Sequence, residues 1–353
     1  MSDNLVLISD THLAAPAKST VTETGANRRL IELVESLDKA LDLAVKNKAE
    51  ILHGGDFFHD RKGVRPEALE AAGRWLERCR ERGVKVTLLV GNHDLSDGAD
   101  GSSSIRALSG IARIVDTSSI IECGFGIRVA CLPYSHSPEH VREECAKLAK
   151  SRPDILLGHL GLGDPQYADA VPSDYEAPGR INLSDLFPDK FGHVFLGHYH
   201  NRQALTKNAY YIGSPMQLSL KEAGQYRGLM LYKAGKVTMV DNDWSPKYVR
   251  LPAAAAMEEM KKGTKNYIVA TDADVDEALE ITKLAEDSGV SVRVERTPPK
   301  AADARMPSNT PEDRVVGAYV KLTAKNLDPD EQKALIDLGN ELLSTAAQGS
   351  EDV

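Results

Sequence analysis

Short apolar runs alternate with segments of helical spacing over the first half of the chain. Runs such as Leu5–Ile8, Val84–Val90 and Ile155–Leu157 have the length of buried strands. Between the first two runs, apolar residues from Leu30 to Val45 recur with helical periodicity, which predicts an amphipathic helix over residues 28–45. Strands that alternate with helices in this way predict a layered α/β core.

The later strands of this core occur in pairs. Ile120–Leu132 is interrupted at Gly124-Phe125-Gly126 and predicts a hairpin. Gly228–Tyr232 and Lys236–Val240, on either side of a short turn, predict a second hairpin. We therefore expect an α/β sheet core that acquires antiparallel strands toward its end.

The pattern changes after about Val249. A strand–helix–strand pattern over residues 266–295 predicts a smaller α+β domain, which a Pro/Ala-rich stretch separates from two predicted helices near the end of the chain. The predicted organisation is a main domain (1–249), a small capping domain (250–296), a linker (297–310) and a helical tail (311–353).

Composition narrows the class of protein only slightly. The chain has 353 residues, of which 42% are hydrophobic and 27% charged, as in soluble globular proteins. No stretch approaches the roughly 18 apolar residues of a membrane span, and the N-terminus enters a strand without a secretory signal. The four cysteines include no Cys-x-x-Cys pair, which favours reduced thiols over a zinc ribbon. We expect a cytoplasmic protein without membrane attachment, in the host cytoplasm if a virus encodes it.

The net charge of −9 is unevenly distributed along the chain. Residues 251–353 contain 12 Lys/Arg and 20 Asp/Glu, whereas residues 1–250 contain 31 and 32. This acidity argues against a protein that coats DNA without specificity, but it does not exclude a phosphate substrate at a metal site.

Six of the ten histidines belong to five short motifs, each of which follows an apolar run. The motifs are Asp10-Thr11-His12, Gly55-Asp56-Phe57-Phe58-His59, Gly91-Asn92-His93-Asp94, Gly158-His159 and Gly197-His198-Tyr199-His200. Ligands of open α/β sheets bind beyond the carboxyl ends of the strands, so five such motifs can converge on one rim.

The residue types in these motifs predict a site for two divalent cations. A carboxylate shared by both ions sets their spacing at roughly 3.5–4 Å, and Asp56 is the best candidate because the glycines before it allow close backbone approach. One ion is predicted to bind Asp10, His12, Asp56 and His200. The other is predicted to bind Asp56, Asn92, His159 and His198. Imidazole, carboxylate and amide ligands without thiolate suit Mn²⁺ or Fe²⁺, with Zn²⁺ possible.

Such a site predicts phosphate-ester hydrolysis by a hydroxide that the two ions share. His93 then has no metal to bind, so it is predicted to stabilise charge on the phosphate or to protonate the leaving oxygen, and Asp94 is predicted to orient it. His53 fits either structural packing or support of a metal ligand.

The five motifs, in this order, resemble those of the calcineurin-like metallophosphoesterase superfamily. Two features resemble, more narrowly, the SbcD-type DNA nucleases, also called the meiotic recombination eleven family. His59, three residues after Asp56, resembles the last residue of that family's Gly-Asp-x-Phe-His motif. The segment Tyr211–Gly228, with Gly213-Ser214-Pro215, resembles the family's segment after the last metal motif, and Leu132-Pro133-Tyr134 is a weaker likeness. The resemblance covers roughly residues 4–240.

This resemblance implies a layered α/β/β/α sandwich and a Mn²⁺-dependent 3′→5′ exonuclease and endonuclease of DNA repair or recombination. It implies His59 and His93 as catalytic histidines. It also implies DNA as substrate, a coiled-coil ABC-type ATPase subunit (SbcC-like) as partner, and a homodimer within that complex. The short acidic tail departs from the family's DNA-binding extensions.

Basic residues beside the motifs are candidates for contact with a DNA backbone, although each also fits a solvated surface charge. They are Arg61, Lys62, Arg65 and Arg202.

Two other functions stay open on the sequence alone. One is a stand-alone metallophosphoesterase acting on nucleotides or small phosphoesters, and His59 with the Gly213-Ser214-Pro215 segment argues against it. The other is a partner-binding subunit of an ATPase complex with secondary nuclease activity, which rests on the predicted helical tail.

Overall fold

A computed structural model describes residues 4–16, 25–61, 63–96, 101–163, 181–296, 315–324 and 327–348. Its helices are α1 (Arg28–Asn47), α2 (Pro66–Glu81), α3 (Pro138–Ala149), α4 (Ala253–Lys261), α5 (Val275–Ser288), α6 (Val315–Thr323) and α7 (Pro329–Gln348).

Two six-stranded sheets form the main body of the part that the structure describes. In spatial order the first contains β12 (Lys236–Asp241), β11 (Gly228–Lys233), β1 (Asn4–Ile8), β2 (Glu50–His53), β3 (Val86–Leu89) and β4 (Arg113–Val115). The second contains β5 (Ser119–Cys123), β6 (Ile127–Leu132), β7 (Ile155–His159), β8 (His193–Gly197), β10 (Ala209–Tyr211) and β9 (Gln203–Ala204).

The side chains of β1 show how the layers are arranged. Val6 and Ile8 pack with α1 and α2 on the outer face of the first sheet, whereas Leu5 and Leu7 pack against the second sheet. This alternation follows from the two-residue period of a strand that is buried on both faces. The second sheet is covered outside by α3. The predicted α/β/β/α sandwich is confirmed.

Local side-chain chemistry explains where the two helices over the first sheet begin. The side chain of Asn27 accepts a hydrogen bond from the Leu30 amide at the start of α1, and α2 begins at Pro66, where a missing N–H costs nothing. The predicted helix over residues 28–45 is therefore confirmed to within two residues. Trp75 of α2 is fully buried in the core beneath them.

A third sheet contains three parallel strands, β13 (Tyr248–Pro252), β14 (Tyr267–Ala273) and β15 (Val292–Arg296), connected through α4 and α5. The sequence pattern missed β13 and α4, because β13 is only half-buried and the run Ala253–Ala256 has no clear period. The hydroxyl of Tyr267 donates to Glu32 of α1 at 2.8 Å, which ties this sheet to the main body. The domain boundaries given above remain predictions.

Two smaller expectations concern membranes and cysteines. Among the described residues, none of the helices is long and apolar enough to cross a membrane. All four cysteines are buried free thiols.

Parallel pairing decides where the five motifs meet. β1, β2 and β3 run parallel in one sheet, and β7 and β8 run parallel in the other. Each of these strands ends at one of the five motifs, so the motifs lie along one edge of the sandwich.

Candidate metal centre

Seven predicted metal ligands converge at this edge of the sandwich. Nε2 of His12 lies 3.1 Å from Nε2 of His200, although 188 residues separate them. Oδ1 of Asn92 lies 3.0 Å from Nε2 of His159 and 2.9 Å from Nδ1 of His198. These contacts define two groups of donor atoms, one around His12 and His200 and the other around Asn92.

Asp56 lies between the two groups. Its Oδ2 is 3.5 Å from Nε2 of His12, and its Oδ1 is 3.4 Å from Nε2 of His159. One carboxylate thus faces a histidine of each group, which is the geometry that a bridging ligand needs. Asp10 accepts from the backbone amide of His198 at 3.0 Å, so the first motif is tied to the fifth.

The backbone is strained where it presents these ligands. Asp10, His12, Asp56 and His198 have φ angles of 52°, 46°, 55° and 101°, in the left-handed region that non-glycine residues rarely adopt. Such strain costs roughly 1–3 kcal/mol per residue and is concentrated at functional sites. Hydrogen bonds between the first two motifs hold the strained loops: the Asp10 amide donates to the Gly55 carbonyl at 3.0 Å, and the His12 amide donates to the Asp56 carbonyl at 3.1 Å.

Gly91 allows the third motif to approach the second. A Cβ atom at this position would overlap the backbone nitrogen and Oδ1 of Asp56. Replacing Gly91 with alanine should therefore displace Asp56, weaken Mn²⁺ binding and destabilise the fold by about 1–3 kcal/mol. Thermal unfolding with and without Mn²⁺ measures both effects.

Gly73→Ala is the matched control for this substitution. Gly73 lies within α2, and a Cβ atom there would meet nothing within 4 Å. We expect this variant to be roughly 0.5–1 kcal/mol more stable, because alanine favours a helix, and to bind Mn²⁺ normally. A Gly91→Ala protein with normal Mn²⁺ affinity would contradict the close approach described here.

The electrostatics of the centre favour cations. Asp10 and Asp56 are almost completely buried, and buried carboxylates need compensating positive charge. Burial raises the pKa of Asp10. Burial also acts to raise the pKa of Asp56, but the charge and hydrogen bond of His159 and the charge of His12 outweigh it, so this pKa is well below its usual range. Burial opposes protonation of His159, yet the charge of Asp56 and its hydrogen bond raise the pKa of His159 to about 9.

The donor atoms fit two divalent cations. Imidazole nitrogens, an amide oxygen and the carboxylate of Asp56 lie 2.9–3.5 Å from one another, and these are donor types that bind divalent cations. The residues that would hold the ions are Asp10, His12, Asp56, Asn92, His159, His198 and His200.

His59 and His93 lie together at the rim of this centre. Their rings are stacked with centroids 5.4 Å apart and an interplanar angle of 16°. Nδ1 of His59 is 3.2 Å from Nδ1 of His12, and Nδ1 of His93 is 2.7 Å from the backbone carbonyl of His59. Because a carbonyl only accepts, Nδ1 of His93 carries the proton and Nε2 is the nitrogen that can gain or release one.

The prediction that Asp94 orients His93 needs correction. The buried carboxylate of Asp94 accepts hydrogen bonds from the backbone amides of Phe57, Phe58 and Gly91 at 2.9–3.3 Å. His93 is oriented by the carbonyl of His59 and not by Asp94. Asp94 therefore connects the second and third motifs. Burial and the neighbouring charge of Asp56 raise the pKa of Asp94 to about 7.

The four basic candidates have different surroundings. Arg61 is half-buried, and its positive charge acts on both His93 and Tyr134, which puts it beside the centre. Arg65 is half-exposed and lies 3.5 Å from Glu67. Lys62 lies outside the described residues.

The prediction that Arg202 contacts a DNA backbone also needs correction. Arg202 is only 8% exposed, its guanidinium forms an ion pair with Asp241, and it donates to the carbonyl of Val240 at 3.0 Å. A guanidinium that is buried and paired in this way is not available to a DNA phosphate. Arg202 instead holds the last metal motif against the hairpin of β11 and β12.

Two buried residues lie behind the centre. The sequence analysis left the role of one, His53, undecided and did not identify the other, Glu222. Nδ1 of His53 accepts from the Gly55 amide at 3.2 Å, and Nε2 lies 3.0 Å from Oγ1 of Thr11, so His53 braces the first two motifs. Glu222 contacts His200. Its only sequence signal was its position within the Tyr211–Gly228 segment.

Comparison with known proteins agrees with this fold. The sequence model of the calcineurin-like phosphoesterase family matches residues 4–202. The chain therefore belongs to the calcineurin-like phosphoesterase family, and the predicted superfamily is confirmed.

Among curated proteins, the chain is similar to three with nuclease or repair names. It is 26% identical over 254 residues to the DNA double-strand break repair protein Mre11 of Sulfurisphaera tokodaii, covering 68% of this chain and 60% of that protein. It is 29% identical over 161 residues to the Mre11 of Methanocaldococcus jannaschii, covering 43% and 40%. It is 21% identical over 204 residues to exonuclease subunit 1 of Enterobacteria phage T4, covering 56% and 57%. These relatives confirm the narrower resemblance, and the chain spans about 40–60% of their lengths.

Proposed function

We propose that this chain is a Mn²⁺-dependent nuclease subunit that hydrolyses DNA phosphodiester bonds in repair or recombination. The observation that carries the proposal is the stacked pair His59 and His93 at the mouth of a seven-residue donor set. The donor set accounts for phosphoester hydrolysis in general, and the two histidines add groups that can act on a substrate. The names of the curated relatives support DNA as that substrate.

Two ions in the centre would neutralise charge on the phosphate and lower the pKa of a water molecule. Proton transfer and contact with the phosphate would then be carried out by side chains of the rim. Nε2 of His93 can carry a proton to or from the reacting oxygens, because its other nitrogen is committed to the His59 carbonyl. Arg61 supplies positive charge for a phosphate beside the centre, and Arg65, which lies 3.5 Å from Glu67, is a further candidate for contact with the DNA backbone.

The proposal includes partners. A coiled-coil ABC-type ATPase subunit and a homodimer within the resulting complex are the assembly that the resemblance implies. In support, α6 and α7 pack together, and α7 exposes Leu335 and Leu338, which are 42% and 53% accessible. An apolar stripe of this kind suits a docking surface for another chain.

Cleavage of linear duplex DNA tests the proposed activity. The purified protein with Mn²⁺ should degrade a linear duplex and should lose activity when a chelator removes the ion. His59→Ala should reduce DNA cleavage more than hydrolysis of a small phosphodiester such as bis(p-nitrophenyl) phosphate, because His59 lies at the exposed rim where a long substrate passes. Hydrolysis of small esters without any cleavage of DNA would instead establish a stand-alone phosphoesterase.

A further inference from the structure

The imidazole of His200 is held from the side opposite the metal centre. Its Nε2 faces Nε2 of His12 at 3.1 Å, and its Nδ1 lies 2.7 Å from Oε1 of Glu222. A carboxylate only accepts, so Nδ1 of His200 donates and Nε2 is left with its lone pair toward the centre. Glu222 thereby selects the tautomer that a metal ligand needs.

Glu222 is itself held in place on every side that the structure describes. Its Oε2 accepts from the Leu218 amide at 2.7 Å and lies 3.0 Å from the guanidinium of Arg227. Glu222 is 8% exposed and Arg227 is 4% exposed. Arg227 is oriented in turn by Oε1 of Gln225 at 2.7 Å. The carboxylate thus has little freedom to leave His200.

Stability alone is a poor explanation for this buried ion pair. The desolvation of two charges usually offsets their attraction, and well-packed apolar residues of similar volume often replace such pairs without loss. A carboxylate that contacts a metal-binding histidine has another effect. It raises the basicity of the ring and fixes its direction, and removing it typically weakens metal binding by about 10–100-fold.

The histidines of the two donor groups differ in this respect. His159 donates through Nδ1 to the backbone carbonyl of Gly54 at 2.7 Å, whereas His200 donates to a carboxylate. A neutral carbonyl orients a ring, but an anion also increases the electron density at the opposite nitrogen. The two cation positions should therefore differ in affinity, and the difference should depend on Glu222.

We propose that Glu222 is a positioning residue for His200 that strengthens one of the two cation positions. Fixed by Arg227 and by the Leu218 amide, it keeps Nδ1 of His200 protonated and directs Nε2 toward the position at which Asp10 and His12 would hold an ion. This inference rests on the proposed two-metal function.

Glu222→Gln and Glu222→Ala test this role. Calorimetric titration of the metal-free full chain with Mn²⁺ should resolve two sites in the wild type. Glu222→Gln retains the shape but lacks the charge, and we expect one site to weaken about 10-fold while the other is unchanged. Glu222→Ala should weaken the same site up to about 100-fold.

Glu32→Gln is the matched control. Glu32 is also a buried carboxylate, 5% exposed, and it is paired with Arg28 and Arg29, but its partners lie in α1 and the third sheet. This variant should lose stability without any change in Mn²⁺ affinity. If Glu222→Ala fails to fold, Glu222→Gln still decides the question.

A spectroscopic measurement on the metal-free protein separates positioning from packing. Long-range ¹H–¹⁵N correlation of the histidine rings should show His200 protonated at Nδ1 in the wild type and a mixture of tautomers in Glu222→Ala. Unchanged affinity at both sites in folded Glu222→Gln, or an unchanged tautomer in Glu222→Ala, would overturn the inference and leave the nuclease proposal intact. A wild type that binds two Mn²⁺ ions with the expected Glu222 dependence but never cleaves DNA would overturn the nuclease proposal alone.

Discussion

Replacing Asp56 with asparagine should abolish binding of at least one Mn²⁺ ion and reduce phosphodiester hydrolysis by more than about a thousandfold. Asp56 is 1% exposed and is the carboxylate that faces both donor groups, at 3.5 Å from His12 and 3.4 Å from His159. Asparagine has nearly the same shape but no charge. The bridge would then no longer hold two cations at short separation, and a loss of several kcal/mol of charge stabilisation corresponds to this rate effect.

The measurement separates metal binding from folding. Mn²⁺ should raise the unfolding temperature of the wild type, since a ligand that binds only the folded state stabilises it by mass action, and this rise should shrink or vanish in Asp56→Asn. Asp38→Asn, which removes a half-exposed carboxylate beside Arg78, is the control and should respond to Mn²⁺ as the wild type does. Two Mn²⁺ ions bound to Asp56→Asn with normal affinity would disprove the bridging role.

His93→Ala should reduce cleavage by about 10²–10⁴-fold while both ions remain bound. His93 is not one of the seven predicted ligands, and its backbone amide donates to Oδ1 of Asp56 at 2.7 Å, a bond that survives the substitution. Burial lowers the pKa of His93, so the ring is neutral near pH 7 in the free protein. A bound phosphate would raise that pKa again, and Nε2 could then hold the proton that the leaving oxygen needs.

Metal content and rate must be measured on the same samples. His93→Ala should bind Mn²⁺ in calorimetry as the wild type does, yet cleave linear DNA far more slowly. His140→Ala, at an exposed position on α3, is the control and should have no effect. Cleavage by His93→Ala within a few-fold of the wild-type rate would remove His93 from the chemistry, whereas loss of bound metal would make it a structural residue.

The strand-end motifs were predictable because they depend on local rules. Short apolar runs predicted strands, and parallel pairing within each sheet explains why the motifs lie along one edge, where His12 lies 3.1 Å from His200 although 188 residues separate them. Helix α1 was predictable for a similar reason, since its period and its Asn27 cap are both visible in sequence. The third sheet was less predictable, because short half-buried strands carry little periodic signal.

The roles predicted for charged residues near the motifs were the least accurate part of the sequence analysis. Asp94 and Arg202 have the residue types of a catalytic acid and a phosphate contact, but both side chains are buried and committed to hydrogen bonds within the fold. Residue type reports what a side chain can do, whereas burial and partners decide what it does. Those depend on contacts between segments 30 or more residues apart.

The sequence by itself predicted an α/β core from its periodicity, the family and the layered sandwich from the resemblance of its motifs, and seven candidate ligands for two cations from the chemistry of their side chains. Only the tertiary structure decided how each ring is oriented. The carbonyl of His59 determines that the ring proton of His93 is on Nδ1, and the carboxylate of Glu222 does the same for His200. A tautomer depends on which atom lies about 3 Å from a nitrogen, and for His93 and His200 that atom belongs to a residue 34 and 22 positions away in the chain, respectively.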